Sequence, residues 1–283
     1  MTANRNDELW EVIPFPPNDE LIRKHVEYYY ISNYQEKPIN KKVSIHPHYL
    51  STLALQNSHR SVFSGNQFTL QKLKNKKPNL GIIGGFTEPL IGEVIGRIKS
   101  LAIIFKPAGI GFFCDKSFDE IVPNGFNYFP FWNDKLDELE ELLYCYDTAE
   151  IARKLDNILL SLYRPFENEI LFETLSLLHS DYGDYSVSKL QQTLGVNRKT
   201  LSRQFKKHVG VSITDYRRIL RFRDAIKLHS ATDENLTRIA YETCFSDQSH
   251  FIKDVRKLTG DNPKKLFQEA GYLKDTPIFV KVS

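Results

Sequence analysis

No uninterrupted apolar run in these 283 residues approaches the length of a membrane-spanning helix. The opening residues, MTANRNDELW, contain acids and no apolar core, so a secretory signal is not expected there. Only three cysteines occur, Cys114, Cys145 and Cys244, and none lies in a CxxC spacing. They supply neither a disulfide framework nor a four-thiolate zinc site, and such sparse usage fits a reducing cytoplasm. G-x-S-x-G, P-loop and H-E-x-x-H patterns are absent too, which removes the best-known signatures of enzymatic chemistry. No cofactor is expected.

What is present is an ordinary globular composition, 41% hydrophobic and 26% charged, in a chain long enough for two domains. The net charge of +3 is unevenly spread. Residues 185–270 hold 17 Lys and Arg against 9 Asp and Glu, whereas the remainder holds 21 against 26. A basic segment joined to an acidic one implies that a single half meets a polyanion.

The first ~130 residues alternate short apolar runs with Gly, Pro and Asn turns, as in VSIHPHYLSTLAL (43–55), Gly65-Asn66, LGIIGGF (80–86) and LAIIF (101–105). This pattern predicts a small β-sandwich or barrel. Near Asp134 the period changes to helical, with Leu136, Leu139 and Leu143 and then Ile151, Leu155, Ile158, Leu159 and Leu162 on one face. That stripe either covers the β-domain or builds a dimer seam. Arg164-Pro165 ends it and marks the expected boundary, giving a β-rich domain over 1–165, a helical domain over 166–271 and a tail over 272–283. The tail reads equally as loose chain or a returning strand.

Within the helical domain a single basic pattern is written twice, fifty positions apart: NRKTLSRQFKKHVG and DQSHFIKDVRKLTG. Leu201, Phe205 and Gly210 correspond to Phe251, Val255 and Gly260, and Arg203, Lys206 and Lys207 to Lys253, Arg256 and Lys257. Each copy follows a short amphipathic helix, carried by Val187, Leu190 and Leu194 or by Leu236, Ile239 and Ala240, so each predicts a helix-turn-helix. Offsets of 49 for the first helices and 50 for the second give the later turn one extra residue. Asn197 suits an N-cap and Gly210 a left-handed helix end.

With the apolar stripes buried, the exposed candidates are Asn197, Arg198, Lys199, Ser202, Arg203 and Lys206 in one unit, and Gln248, Ser249, His250, Lys253 and Arg256 in the other. Arg is suited to guanine O6 and N7 in the major groove, and Lys to phosphates. Between the units, Tyr216, Ile219, Leu220, Arg223 and Ile226 share helical spacing. About 18 residues at 1.5 Å make a strut of roughly 27 Å. Such a strut suits two reading heads about one duplex turn, roughly 34 Å, apart. Asp254 places a negative charge near the second reading face and is expected to weaken that head.

These segments resemble the DNA-binding domain of the AraC/XylS family of bacterial transcription regulators. The resemblance rests on LSRQFKKHVGVS, DYRRILRFRDAI and IAYETCFSDQSHFIKDVRKLTGDNPKKL, with Ile239, Ala240, Phe245, Ser246, Asp247, Ser249, Phe251, Gly260 and Pro263 at the family's usual positions. Cys244 stands where the family usually has Gly, and Val255 where it has Phe. PFPPNDELIRKHVEYYY and FKPAGIGFF resemble, more faintly, cupin-like sensor domains attached to such regulators. The resemblance implies a cytoplasmic regulator that binds double-stranded DNA and works with RNA polymerase. Its first domain is expected either to sense a small-molecule effector or only to dimerise or bind protein, with a homodimer as one outcome. An enzyme acting on DNA and a pure protein-interaction module are the competing classes; the cysteines do not furnish the reactive metal-bound thiolate of the former.

Other features have plainer readings. His46-Pro47-His48 has the spacing of a cupin metal site, but no Glu follows at a suitable distance, so a structural pair is expected. Phe126, Tyr128, Phe129, Phe131 and Trp132 fit packing better than a ligand pocket. Cys145 fits an inert small hydrophobe and the Glu138, Glu140 and Glu141 run a solvated face.

Overall fold

The computed structural model describes residues 11–33, 39–57, 59–72, 78–96, 99–180, 185–232, 234–268 and 280–282. The alternating segments of the first half form strands β1 (Glu11–Phe15), β2 (Val26–Asn33), β3 (Ile39–Ile45), β4 (Ser51–Gln56), β5 (His59–Ser64), β6 (Gln67–Lys72), β7 (Asn79–Ile83), β8 (Leu90–Gly96), β9 (Lys99–Phe105) and β10 (Phe126–Tyr128). They lie in two sheets. One has the order β1-β2-β9-β4-β7-β10. The other runs β3-β8-β6-β5, with a further strand, β11 (Val280–Val282), at the β3 edge. The expected β-rich domain is thus present.

The run 43–55 is not one strand. It splits into β3 and β4, which lie in different sheets, and His46–Leu50 crosses between them. Proline in that crossover removes a ladder donor, which explains why the run breaks there. Gly65-Asn66 closes the β5–β6 hairpin, with Gly65 at φ +60°.

Two short helices interrupt the strands, α1 (Glu20–His25) and α2 (Phe118–Ile121). The apolar alternation hides them because each is little more than one turn. Asp19 caps α1 by accepting from the backbone N–H groups of Leu21 and Ile22. The two faintly family-like segments pack together: His25, at the end of α1, stacks on Phe112 with ring centroids 3.7 Å apart, and its carbonyl accepts from Lys106 N–H at 2.9 Å.

The leucine-rich pair is α3 (Leu136–Leu142) and α4 (Thr148–Leu162). Leu139, Leu142, Leu143, Ile151, Leu155 and Leu159 are buried in one cluster with Leu53, Leu55, Ile82 and Phe105 of the first sheet. The stripe therefore covers the β-domain, and those side chains are not free to form a dimer seam. Asp156, on the same face, is buried and accepts from Tyr29 Oη at 2.7 Å and from the backbone N–H groups of Asn18 and Asp19. Its three donors explain how a carboxylate is tolerated there. Phe129 and Trp132 belong to this core, whereas Tyr128 and Phe131 are exposed.

The second half is helical: α5 (Glu169–Ser180), α6 (Val187–Leu194), α7 (Arg198–Val209), α8 (Ile213–Ala231), α9 (Leu236–Glu242), α10 (Gln248–Thr259) and α11 (Pro263–Gln268). Two separate cores form. Leu190, Leu201, Phe205, Tyr216 and Leu220 share one with α5, and Ile219, Phe222, Ile226, Ile239, Phe251 and Val255 make the other. One helix, α8, contributes to both. Beyond α11 the chain returns as β11, where Val280, Lys281 and Val282 pair antiparallel with Ile45, Ser44 and Val43. The expected tail thus includes a returning strand; residues 272–279 and 283 lie outside the described residues.

Candidate nucleic-acid interface

Each reading helix is built by the same local chemistry. Asn197 caps α7 with its side-chain oxygen on the N–H of Thr200 at 2.9 Å, and Asp247 caps α10 through the N–H of His250 at 2.8 Å. Both helices stop at glycines in the left-handed region, Gly210 at φ +86° and Gly260 at φ +74°. Between those ends the buried positions are Leu201, Phe205 and Val209 in α7, and Phe251, Asp254, Val255, Leu258 and Thr259 in α10. The remaining faces turn outward.

On α7, Arg198, Lys199, Ser202, Arg203 and Lys206 are all exposed, with Lys207 beside them. On α10, Gln248, Ser249, Lys253 and Arg256 are exposed, with Lys257 beside them. Two expected readers are already engaged. The Asn197 oxygen is occupied as the α7 cap. His250 is half-buried, with Nδ1 3.1 Å from Ser246 Oγ and Nε2 3.4 Å from Asp254 Oδ2.

Asp254 does not lie on the outer face. It is buried against α8, with Oδ1 accepting from Arg218 Nε at 2.9 Å and Oδ2 3.7 Å from Arg221 Nη2. Arg218 also bonds Asp215 on its own helix. The charge expected near the second reading face is thus buried beneath it, where it fastens the helix to the strut. The i, i+4 arithmetic of one helix gives no sign of this, because the partners come from 36 residues away.

The two turns differ more than their offset suggested. Three residues separate α6 from α7 and five separate α9 from α10. Thr243, the first residue of the longer turn, is buried and its Oγ1 donates to the Ile239 carbonyl at 2.7 Å. Cys244, at the usual glycine position, has φ +58° and is left-handed despite its side chain. Arg221 holds that residue, donating from Nη1 to its carbonyl at 3.2 Å and lying over the Phe245 ring.

The strut spans 19 residues, about 28 Å at 1.5 Å each. Arg223, near its middle, points into the β-domain and donates to the His46 and Pro47 carbonyls at 3.0 and 2.9 Å. Burial lowers its pKa to about 9, so it stays protonated at neutral pH. The H-x-H segment thus serves as a docking loop. Among the described residues no group of three or more His, Cys, Asp or Glu is placed to hold a metal ion.

A helix-turn-helix domain family matches residues 190–269, which span both of these units. The activator RhaS of Pectobacterium carotovorum subsp. carotovorum (strain PC1) is 31% identical over 97 residues, 34% of this chain and 35% of that protein. RhaS of Pectobacterium atrosepticum is 36% identical over 72 residues, 25% and 26% of the two chains.

Residues 190–269 form an AraC-type helix-turn-helix domain.

The alignments with the curated relatives span only about a third of those proteins' length. Among solved structures, the chain is similar over 36% of its length to the C-terminal domain of AraT from Geobacillus stearothermophilus, 86% of which is covered, at 20% identity and TM-score 0.35. ToxT from Vibrio cholerae aligns with 92% of this chain and 97% of its own at 12% identity and TM-score 0.44. No helix among the described residues is long and apolar enough to cross a membrane.

Proposed function

We propose that the protein is a sequence-specific transcription regulator whose AraC-type domain reads double-stranded DNA with α7 and α10. The observation that carries this reading is the twinned outer face: Arg203 with Lys253 and Lys206 with Arg256 are exposed at matching positions of two helices with matching cores. Arg203, Lys199 and Ser202 on α7, and Ser249, Lys253 and the half-buried His250 on α10, are the base-edge candidates. Arg198, Lys206, Gln248 and Arg256 flank them and serve phosphates, while Asn197 orders the α7 N-terminus.

The relatives are named as transcriptional activators, which supports control of transcription in company with RNA polymerase rather than catalysis. In the same reading the domain over 1–165 is the controlling module. A small effector bound there favours one arrangement of the two domains, and self-association there makes a homodimer.

The test is selection of duplexes from a random pool by the full chain, followed by affinity measurements across salt. A recovered motif with two half-sites is expected. About six phosphate contacts predict a slope of log affinity against log salt of about −5. Binding without a motif, or with no salt dependence, contradicts the proposal.

A further inference from the structure

Among the described residues, three contacts between the β-domain and the AraC-type domain bear on how the two reading helices are held. Tyr49, from the β3–β4 crossover, packs against both helix-turn-helix cores at their junction on α8. Its ring meets His179 of α5 edge-on at 5.3 Å and lies 6.2 Å from Tyr216. His179 Nε2 and Tyr216 Oη are 2.7 Å apart, so this side of the wedge is tied together by a hydrogen bond. Three and two residues before Tyr49, the His46 and Pro47 carbonyls receive the buried Arg223 of the same strut.

The third point is the loop between β7 and β8, residues 84–89. At one end Gly85 backs onto Gly210, the end of α7: a Cβ on Gly85 would lie 3.2 Å from the Gly210 Cα, and one on Gly210 would lie 2.6 Å from Phe118. At the other end Pro89 lies 3.9 Å from where a Cβ of Gly260, the end of α10, would stand. Four residue steps separate Gly85 from Pro89, at most about 14 Å of chain. One short loop therefore abuts the corresponding ends of both reading helices.

Resting on the DNA-reading assignment above, we propose that the β-domain acts as a jig. Tyr49 and Arg223 at the strut, and loop 84–89 at the two helix ends, fix the separation and angle of α7 and α10. They thereby set which spacing between half-sites the protein accepts. Tyr49 is a positioning residue, because it acts on DNA through the two cores it separates. Removing its ring leaves α7 and α10 with their own caps and cores and frees their mutual orientation. The consequence is a change in spacing preference, which differs from a general loss of affinity.

The experiment uses the full chain and the duplex that it selects from a random pool, rebuilt with one base pair added or removed between the half-sites. The wild type is expected to prefer its own spacing at least tenfold. Tyr49→Ala is expected to shrink that ratio to threefold or less, and Tyr49→Phe, which keeps the ring, to retain it. Pro89→Gly, which loosens the loop without touching a core, is expected to shrink the ratio as well and decides the matter if Tyr49→Ala does not fold. Equal loss at every spacing, or an unchanged ratio in folded Tyr49→Ala and Pro89→Gly, overturns the jig and leaves the DNA reading intact. A wild type that selects no duplex overturns the DNA reading and the jig together.

Discussion

Arg218 on the strut and Asp254 on the second reading helix form a 2.9 Å ion pair in which the Asp254 side chain is only 9% exposed. The pair couples the orientation of α10 to α8, and Arg221 reinforces it from the next turn of the strut. Removing one partner of a buried pair leaves the other charge uncompensated, which typically costs about 3–5 kcal/mol. Arg218 keeps Asp215 as a second partner, so the lower end of that range applies. Asp254→Ala is accordingly expected to destabilise the chain by about 3 kcal/mol in urea unfolding. A loss under about 0.5 kcal/mol, the scatter of ordinary surface substitutions, contradicts the fastening role.

Arg203 and Lys206 are one turn apart on the exposed face of α7 and separate two kinds of contact. Arg203→Ala should weaken binding to the selected duplex by about 1–3 kcal/mol and relax preference at one base pair. Lys206→Ala should weaken all sequences alike and reduce the salt slope by about one. Repeating the duplex selection with each variant distinguishes them; an unchanged motif for Arg203→Ala removes its base-reading role.

Cys244 occupies a left-handed position at φ +58°. An L-residue there costs about 1–2 kcal/mol relative to glycine, offset in part by the greater entropy glycine loses on folding. Cys244→Gly should therefore stabilise the protein by up to about 1 kcal/mol. Unfolding midpoints in denaturant measure this, and a lower midpoint for the glycine variant contradicts it.

Two half-buried groups give stability opposite dependences on pH. Burial lowers the His25 pKa to about 4, with Lys24 and Lys106 adding to the effect, so the native protein keeps this ring neutral. The unfolded chain takes up the proton first, and the His25 contribution is lost as pH falls from about 6.5 towards 4. Burial raises the Asp224 pKa to about 6, so here the native state holds the proton longer. Its contribution is greatest below about pH 4 and declines as pH rises to about 6. Asp224→Asn should therefore stabilise the protein at pH 7 by about 1 kcal/mol once partial exposure is discounted, with the gain vanishing near pH 4. Urea unfolding of both proteins at the two pH values provides the check.

The helical half was legible because its signals are local. Helix periods, the Asn197 cap and the Gly210 and Gly260 stops depend on neighbours within a turn, and the structure places all of them as read. The burial of Asp254 was not legible because it depends on Arg218, a partner on another helix. In the β half, alternation revealed strands but gave no sheet order. Nor did it locate the break at His46–Leu50 or the short helices α1 and α2.

By itself the sequence determined two capped, amphipathic, cationic helices with a strut between them, because propensity, capping and burial period act over a few residues. Only the tertiary structure decided that Arg223 and Tyr49 would meet at the domain junction and that residues 280–282 would return to the edge of β3. Those contacts join groups remote in the chain, and shape and hydrogen-bond complementarity between finished surfaces selects them.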